Sequence, residues 1–168
     1  SQNRGCYVLS VGRLSCLQKR QDIAIRAFAQ VALSRPDLRL KICGIGDGLS
    51  ELMALTNALA IADVVDFEGN VENVMRIHAD ASAYLMSSEF EGFPNALIEA
   101  TASGIPTVTT DFSPSGIAQE LVKDSYNGFV VPTGDDSAMA DALERILAGE
   151  IREECLLDSA KTIKEKFS

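Results

Sequence analysis

The sequence predicts a single α/β domain built on a doubly wound parallel sheet of about six strands, with helices on both faces. Short apolar segments alternate with longer amphipathic segments along the whole chain. Most apolar segments are hydrophobic at odd and even positions alike, as expected of strands buried on both faces of a parallel sheet. The alternation of strand and helix favours right-handed crossovers and a doubly wound order. A chain of 168 residues is long enough to bury the core of one such domain.

The strands are predicted from the apolar runs, and the helices from apolar residues at helical spacing. The predicted strands are residues 6–11, 38–43, 64–68, 81–86, 107–110 and 128–131. The predicted helices are residues 21–34, 50–60, 71–78, 94–103 and 136–148, followed by one or two helices within residues 151–166.

The first predicted helix has one clearly apolar face. Its stripe has the spacing i, i+3, i+4 and i+7 and consists of Ala24, Ala27, Phe28 and Val31. Arg26 and Gln30 point away from that stripe. Gly104 and Gly149 follow the fourth and fifth helices directly, and we expect them to cap the C-terminal ends of these helices.

Composition and charge exclude several classes of function. Hydrophobic residues make up 46% of the chain and charged residues 23%, which is typical of a globular protein. Fifteen Lys and Arg against 24 Asp and Glu give a net charge of −9, whereas a duplex-binding surface needs a basic footprint. Nucleic acid is therefore not an expected partner. No apolar run approaches the length of a transmembrane segment, and none resembles a signal peptide.

The four cysteines are scattered along the chain, at Cys6, Cys16, Cys43 and Cys155. No C-x-x-C pair occurs and the chain has one histidine, so zinc and haem motifs are missing. We expect reduced, buried thiols of a cytosolic protein, although the sequence leaves a disulfide between two of them open.

Ligands of doubly wound sheets bind at the carboxyl ends of the strands. Gly12 and Arg13 directly follow the first predicted strand, and Lys19 comes six residues after Arg13. Gly12 allows a close backbone turn, and the two cations suit a diphosphate. A protein of charge −9 repels an anion unless cations are concentrated at the pocket. The alternative interpretation is that both cations are solvated surface side chains.

A glycine-rich segment, C-G-I-G-D-G at residues 43–48, follows the second predicted strand. Its spacing is G-x-G-x-G rather than G-x-G-x-x-G, and it does not follow the first strand. It is therefore a weak indication of dinucleotide binding. A tight turn from strand to helix near the site is the favoured interpretation.

The segment 87–100 follows the fourth predicted strand and has the strongest pattern for a binding site. Pro94 suits the first turn of a helix, where its missing N–H costs nothing. The free amides of Asn95, Ala96 and Leu97 would then point out of the helix start, at the positive end of the helix dipole. This arrangement favours binding of a phosphate.

Two carboxylates flank the start of that helix, with Glu91 in the preceding loop and Glu99 inside the helix. A carboxylate can accept hydrogen bonds from two adjacent hydroxyls, so either residue could bind a sugar diol. The sequence does not give the distance that a paired acid and base role requires. From the residues alone, these roles and a solvated surface position have equal support.

At this segment the chain resembles the retaining family-4 glycosyltransferases. Glu91 and Glu99, within E-G-F-P-N-A-L-I-E-A, resemble that family's E-x7-E signature. Other segments match in order: V-G-R-L with Lys19 resembles "GRL…K", residues 42–46 "ixGxG", residues 67–71 "FxGxV", residues 104–111 "GxPvvaxD", and Glu120 with Asn127 and Gly128 "E…NG". The similarity covers residues 7–148, and the ordered set is highly specific.

The resemblance implies the C-terminal, donor-binding half of a GT-B enzyme, in which two Rossmann-like domains face each other across a cleft. Residues 1–168 would be the nucleotide-sugar (donor) binding domain, and the N-terminal acceptor domain would be absent from this chain. The isolated domain is then expected to be inactive. The resemblance also implies a cytoplasmic protein whose full-length form works at the inner face of the membrane.

The resemblance assigns roles residue by residue. Arg13 and Lys19 match the cations that neutralise the donor diphosphate, Glu99 matches the glutamate that binds the ribose hydroxyls, and Glu91 matches the catalytic glutamate near the reacting centre. The other implied donor contacts are the Gly12 turn, the backbone at Val71 beside the base, and the backbone of Phe93, Pro94, Asn95, Ala96 and Leu97 around the sugar and distal phosphate.

The implied reaction moves a hexosyl or N-acetylhexosaminyl group from a UDP- or GDP-sugar, with UDP favoured, to a glycan or lipid-linked acceptor. Bacterial capsule, O-antigen or other surface-polysaccharide synthesis is the implied setting. No cofactor or metal is expected, because the cations and the helix start neutralise the diphosphate and no D-x-D motif occurs. The alternatives are a non-catalytic nucleotide-sugar-binding module and a dinucleotide oxidoreductase domain.

Arg20 stands where the family often has glycine, and Thr101 and Ser103 also depart from its pattern.

The single histidine, His78, lies in a predicted helix between two motifs, and we expect it to have a surface or packing role rather than a catalytic one.

Overall fold

The computed structural model describes residues 6–167 and contains a six-stranded, fully parallel sheet. The strand order is β3-β2-β1-β4-β5-β6. The strands are β1 (Tyr7–Val11), β2 (Arg39–Cys43), β3 (Val65–Gly69), β4 (Ala83–Met86), β5 (Thr107–Thr110) and β6 (Gly128–Val131). The predicted fold class and all six predicted strands are confirmed, with boundaries that shift by at most two residues.

Seven α-helices connect and follow these strands in the described part of the chain. They are α1 (Gln21–Ala32), α2 (Leu49–Ala58), α3 (Val74–Asp80), α4 (Asn95–Ala102), α5 (Ile117–Leu121), α6 (Asp136–Leu147) and α7 (Glu153–Phe167). A short 3-10 turn, Ala62–Val64, precedes β3. The five helices predicted before residue 151 are present, and the last predicted segment forms one helix, α7, rather than two.

Two helices begin later than predicted, for local reasons. The side chain of Asn73 accepts a hydrogen bond from the Arg76 amide and caps α3, which therefore begins at Val74 rather than at residue 71. Pro94 has a ψ of 69°, which is not helical, so it is the N-cap of α4 rather than a residue of its first turn. The helix α5 was not predicted, because five residues are too short to show a helical period.

The core lies on both faces of the sheet, as the apolar strands predict. On one face, Val8, Leu40 and Leu85 pack with Phe28 of α1. On the other face, side chains from β1 and β4 pack with α4 and α7: Leu9, Tyr84, Met86, Leu97, Ala100 and Ile163.

The predicted details of helices are confirmed as well. The apolar stripe of α1, consisting of Ala24, Ala27, Phe28 and Val31, is buried, whereas Arg26 and Gln30 are exposed. Gly104 and Gly149 follow the caps of α4 and α6 with φ values of 78° and 83°. This left-handed conformation ends a helix and favours glycine.

The strand order places a topological switch point between β1 and β4. From β1 the chain proceeds outward to β2 and β3, and from β4 it proceeds in the opposite direction to β5 and β6. The loops that follow β1 and β4 therefore lie side by side at the carboxyl edge of the sheet. Ligands of doubly wound sheets bind in the crevice that forms between such loops.

Candidate functional site

A cavity of about 370 Å³ opens at the carboxyl ends of β1, β2 and β3. Gly12 and Arg13 line it from the loop after β1, Gly44 from the loop after β2, and Asn70 and Val71 from the loop after β3. The structure thus brings three of the predicted binding residues, Gly12, Arg13 and Val71, to one pocket. Arg13 is exposed and supplies a positive charge at its wall.

The glycine-rich turn after β2 packs backbone to backbone against the loop after β1. A Cβ atom on Gly44 would lie 1.9 Å from the carbonyl oxygen of Gly12, and one on Gly46 would lie 2.3 Å from that of Leu14. The Gly12 amide donates to the Cys43 carbonyl at 2.9 Å, and the Leu14 amide donates to Ile45 at 3.0 Å. The predicted tight turn near the site is confirmed, and its G-x-G spacing follows from this contact between loops.

Lys19 and Glu91 meet at the switch point, although they are 72 residues apart in the chain. The Lys19 Nζ lies 2.5 Å from the Glu91 Oε2, and the two side chains are 22% and 6% exposed. The aliphatic part of Lys19 runs beside Gly12, since a Cβ there would lie 3.7 Å from its Cδ and Cε atoms. The cation and the carboxylate that the sequence singled out therefore form one ion pair at the edge of the sheet.

Ser88 is a second donor to the same carboxylate oxygen. Its Oγ lies 2.6 Å from the Glu91 Oε2, and Ser88 is fully buried. The Ser88 carbonyl accepts a hydrogen bond of 2.6 Å from the Oγ1 of Thr110, at the end of β5. Sequence reasoning missed both residues. Ser88 could have been found from its position three residues before Glu91, but the contribution of Thr110 depends on the strand order.

Direct hydrogen bonds join the loops after β1 and β4. The Glu89 amide donates to the Gln18 carbonyl at 2.7 Å, and the Ser87 hydroxyl donates to the Lys19 carbonyl at 3.0 Å. These bonds fix the backbone around Lys19 relative to the loop that bears Glu91. The geometry of the ion pair is therefore set by the backbone of both loops.

Arg20 stands at the position where the resemblance implies a frequent glycine, and it adopts a left-handed conformation with a φ of 49°. Glycine adopts this conformation without strain, so the φ value fits the implied glycine. In this chain the Arg20 guanidinium pairs with Asp22 at 3.0 Å and with Glu89 at 3.5 Å. The second pair adds another link between the two loops.

Glu99 is exposed on the second turn of α4. A shared site for Glu99 and Glu91 stays a prediction; the group on which both charges act is the hydroxyl of Tyr84 in β4. This hydroxyl donates to the Val11 carbonyl at 3.2 Å, at the end of β1. Burial raises the pKa of Tyr84, and the negative charges of Glu91 and Glu99 raise it further, whereas the bond to Val11 opposes the rise.

The start of α4 offers fewer amides than predicted. The Asn95 amide donates to the Phe93 carbonyl at 3.0 Å and is already occupied. The amides of Ala96 and Leu97 have no acceptor within residues 6–167, as expected for the first turn of a helix. An anion at this helix start would therefore meet two amides rather than three.

Phe93, in the loop before α4, has an exposed side chain that contacts the end of α7. Its ring centroid lies 6.3 Å from that of Phe167, with the ring planes tilted by 57°. Phe167 also packs against the core cluster that contains Leu97 and Ala100 of α4. The C-terminal end of α7 therefore supports the loop that presents Glu91.

His78 is buried on α3, with its ring edge-on to that of Tyr84 at 6.2 Å. Burial lowers its pKa, and its Nε2 has no hydrogen-bond partner in the described part of the chain. The predicted packing role of His78 is confirmed.

The cysteines differ in part from the prediction. Cys43 and Cys155 are buried thiols as expected, whereas Cys16 is half-buried and Cys6 is exposed; all four are free. Burial raises the pKa of Cys16 to about 11, and the neighbouring Glu51 adds to the effect.

Residues 6–167 contain neither a metal-binding cluster nor a membrane-spanning helix. Nowhere in this range do three or more His, Cys, Asp or Glu side chains form a group that could hold a metal ion. Over the same residues, no helix combines the length and the apolar character that a membrane span requires.

The six-stranded parallel sheet, with helices on both faces and a cavity beyond the carboxyl ends of β1, β2 and β3, defines a Rossmann-like α/β domain. A family model described as "Glycosyl transferases group 1" matches residues 2–164. The chain therefore belongs to this family of glycosyltransferases.

Individual relatives agree with this assignment. The chain is 34% identical over 161 residues to a Campylobacter jejuni N-acetylgalactosaminyltransferase that acts on a diphospho-undecaprenol-linked saccharide; the match covers 96% of this chain and 42% of the relative. It is 35% identical over 144 residues to the "Putative colanic acid biosynthesis glycosyltransferase WcaL" of Escherichia coli, and the match covers 81% of this chain and 34% of WcaL. The chain thus spans less than half the length of these relatives.

A solved structure shows the same fold. The pneumococcal O-GlcNAc transferase GtfA, in complex with UDP and GlcNAc, superposes with a TM-score of 0.85 at 25% identity. The match covers 99% of this chain and 34% of GtfA. The six-stranded sheet is therefore the sheet of a GT-B glycosyltransferase domain.

Proposed function

We propose that this chain is the donor-binding domain of a retaining glycosyltransferase that uses a UDP-sugar. The transferred group is a hexosyl or N-acetylhexosaminyl group, and the acceptor is a glycan or a lipid-linked saccharide of a bacterial surface polysaccharide. The observation that carries this proposal is the Lys19–Glu91 ion pair, which lies beside Gly12 at the switch point of the sheet. Two comparisons support these substrate classes. The Campylobacter relative is named for a diphospho-undecaprenol-linked acceptor, and the GtfA structure is a complex with UDP and GlcNAc.

In this proposal the nucleoside occupies the cavity between the loops after β1, β2 and β3. The base lies against the backbone at Val71, and Glu99 accepts hydrogen bonds from the two ribose hydroxyls. The cavity of about 370 Å³ has the size of a small-molecule site. Arg13, at its wall, is placed to meet the first phosphate.

The diphosphate lies between Arg13, Lys19 and the two open amides of α4. As the bond between the sugar C1 and the phosphate oxygen breaks, its electron pair stays on the diphosphate. The cations and the helix start stabilise this developing charge more than they stabilise the ground state. Each charge-assisted contact of this kind is worth about 1.5–3 kcal/mol. The charge is thus neutralised by the chain itself rather than by a divalent metal.

Retention follows when the acceptor oxygen bonds to C1 from the face that the diphosphate leaves, through a short-lived ion pair. The acceptor proton passes to the departing phosphate oxygen, so no base from this chain is needed. Glu91 contacts the transferred sugar beside C1, where its negative charge stabilises the oxocarbenium character of the sugar. We prefer this path to a double displacement with Glu91 as nucleophile.

The acceptor site belongs, in this proposal, to a second domain of a longer protein. The chain spans 42% of its Campylobacter relative and 34% of WcaL, so those proteins have room for another domain. The domain described here then binds the donor but does not transfer it alone. The whole enzyme works in the cytoplasm, on acceptors at the inner face of the membrane.

Calorimetry of nucleotide binding tests the assignment of the site. We expect UDP to bind more tightly than GDP, and NAD to give no heat of binding. Arg13→Ala and Glu99→Ala should each weaken UDP binding by about ten- to a hundredfold, as loss of one charge-assisted contact predicts. The matched controls are Arg26→Ala and Glu165→Ala, which remove exposed charges from α1 and α7 and should leave the affinity unchanged.

Two outcomes of this experiment would contradict the proposal. If Arg13→Ala and Glu99→Ala bind UDP as tightly as the parent does, these residues do not hold the donor. If NAD binds in place of UDP, the site is that of a dinucleotide enzyme. A transfer assay on the longer protein with a panel of UDP-sugars separates an enzyme from a non-catalytic binding module.

A further inference from the structure

We propose that Ser88 is a positioning residue that holds the Glu91 carboxylate in place while the donor is bound, and that Thr110 braces Ser88 from the neighbouring strand. This inference rests on the proposed function, in which Glu91 contacts the transferred sugar.

Two hydrogen-bond donors share one oxygen of the Glu91 carboxylate. The Glu91 Oε2 accepts from the Lys19 Nζ at 2.5 Å and from the Ser88 Oγ at 2.6 Å. The Oε1 accepts from no residue within 6–167, so it is the oxygen that remains available to a ligand. Both donors therefore set the direction of the carboxylate without occupying the oxygen that would meet the sugar.

The two hydrogen-bond donors, Lys19 and Ser88, respond differently to the diphosphate of a bound nucleotide sugar. A diphosphate carries more negative charge than one carboxylate, so it draws the Lys19 ammonium away from Glu91. The Ser88 hydroxyl is neutral and fully buried. The phosphate therefore does not compete with Glu91 for this hydroxyl. Ser88 is therefore the donor that keeps its hold on Glu91 in the bound state.

Ser88 is itself held in place by a hydrogen bond from the neighbouring strand. The Thr110 Oγ1, which is also fully buried, donates to the Ser88 carbonyl at 2.6 Å. The Ser88 Oγ lies 3.2 Å from the Met86 sulfur as well, but its single proton favours the charged carboxylate, which is the stronger acceptor. A chain of contacts thus runs from β5 through Ser88 to Glu91.

The test compares binding of UDP with binding of UDP-sugars by calorimetry. The probes are UDP-glucose, UDP-galactose, UDP-N-acetylglucosamine and UDP-N-acetylgalactosamine, and the one that the parent binds best is used. Ser88→Ala should keep UDP affinity within about twofold, whereas its affinity for the UDP-sugar should fall about fivefold or more relative to UDP. A merely structural defect would weaken both ligands equally.

The second set of variants keeps the test valid if Ser88→Ala does not fold. Thr110→Val removes the donor but keeps the shape, and it should lower the ratio of UDP-sugar to UDP affinity. Thr110→Ser keeps the hydroxyl and should restore the ratio. The matched control is Thr107→Val at the other end of β5, where the hydroxyl donates to the Ile105 carbonyl; its ratio should equal that of the parent.

Crystal structures of unliganded variants test the positioning without any donor. In Lys19→Ala, Ser88 alone should keep the Glu91 carboxylate where it is. In the double variant Lys19→Ala/Ser88→Ala, the carboxylate should move by about 2 Å or more. An unmoved carboxylate in the double variant would overturn the inference. Absence of UDP binding to the parent would overturn the proposed function instead, while this structural result still decides the role of Ser88.

Discussion

The Lys19 ammonium and the Glu91 carboxylate neutralise each other in the unliganded protein, at a distance of 2.5 Å. In the proposed complex the same two groups face different parts of the donor, the diphosphate and the sugar. Binding of a nucleotide diphosphate must therefore exchange one partner of Lys19 for another. If the proposal holds, the strength of the ion pair is part of what sets the affinity for UDP.

Glu91→Gln should bind UDP more tightly than the parent, by about two- to tenfold, because it frees Lys19 and removes a negative charge close to the diphosphate. Calorimetry measures the change, with Glu165→Gln on the exposed side of α7 as the control. Weaker binding of UDP by Glu91→Gln would mean that Lys19 does not turn from the carboxylate to the phosphate.

Phe167→Ala should loosen the loop before α4, because it removes the ring that contacts Phe93. An aromatic pair contributes about 0.5–1.5 kcal/mol beyond its buried area. We expect faster amide hydrogen exchange at residues 89–96 and a lower free energy of unfolding. Leu157→Ala, an exposed change on the same helix, should alter neither. Unchanged exchange in Phe167→Ala would show that α7 does not support the loop.

Gly44→Ala should lower the free energy of unfolding by more than about 3 kcal/mol, because the new Cβ would lie 1.9 Å from the Gly12 carbonyl oxygen, at a φ of 141°. Gly134→Ala is the control: it has a φ of 72° and open space around it, so it should cost about 1–2 kcal/mol of strain. Chemical denaturation measures both. Equal losses for the two variants would contradict the close packing of the loops.

The pKa of His78 is lowered by burial from its usual value of 6.5, so the unfolded chain binds a proton at His78 more readily than the folded one. The contribution of neutral His78 to the free energy of unfolding is therefore fully present above pH 6.5 and is lost as the pH falls below 6.5. His78→Gln should therefore reduce the loss of stability between about pH 7 and pH 5.5. Denaturation curves at both pH values measure this, and an unchanged pH dependence would refute the role of His78.

The fold could be predicted largely from local patterns. The apolar strands around Val8 and Leu85 are hydrophobic at both parities because helices cover both faces, and the α1 stripe around Phe28 follows from helical spacing. These signals are local in sequence and need no knowledge of the strand order. The start of α4 was displaced by one residue because the backbone angle of Pro94 depends on the loop before it.

The site was predictable in its parts but not in its contacts. Gly12, Lys19 and Glu91 follow predicted strands, so their position at the carboxyl edge could be expected. Their contact requires β1 to lie next to β4, which no local pattern shows. The same holds for Thr110, which reaches Ser88 only because β5 is the neighbour of β4.

The central claim is that one crevice, between the loops after β1 and β4 and the start of α4, holds a nucleoside diphosphate. A crystal structure of this chain with UDP tests it most directly. We predict the diphosphate within about 3 Å of the Arg13 and Lys19 nitrogens and the amides of Ala96 and Leu97, with the ribose bonded to Glu99. UDP on another surface, with Lys19 still paired to Glu91, would contradict the account.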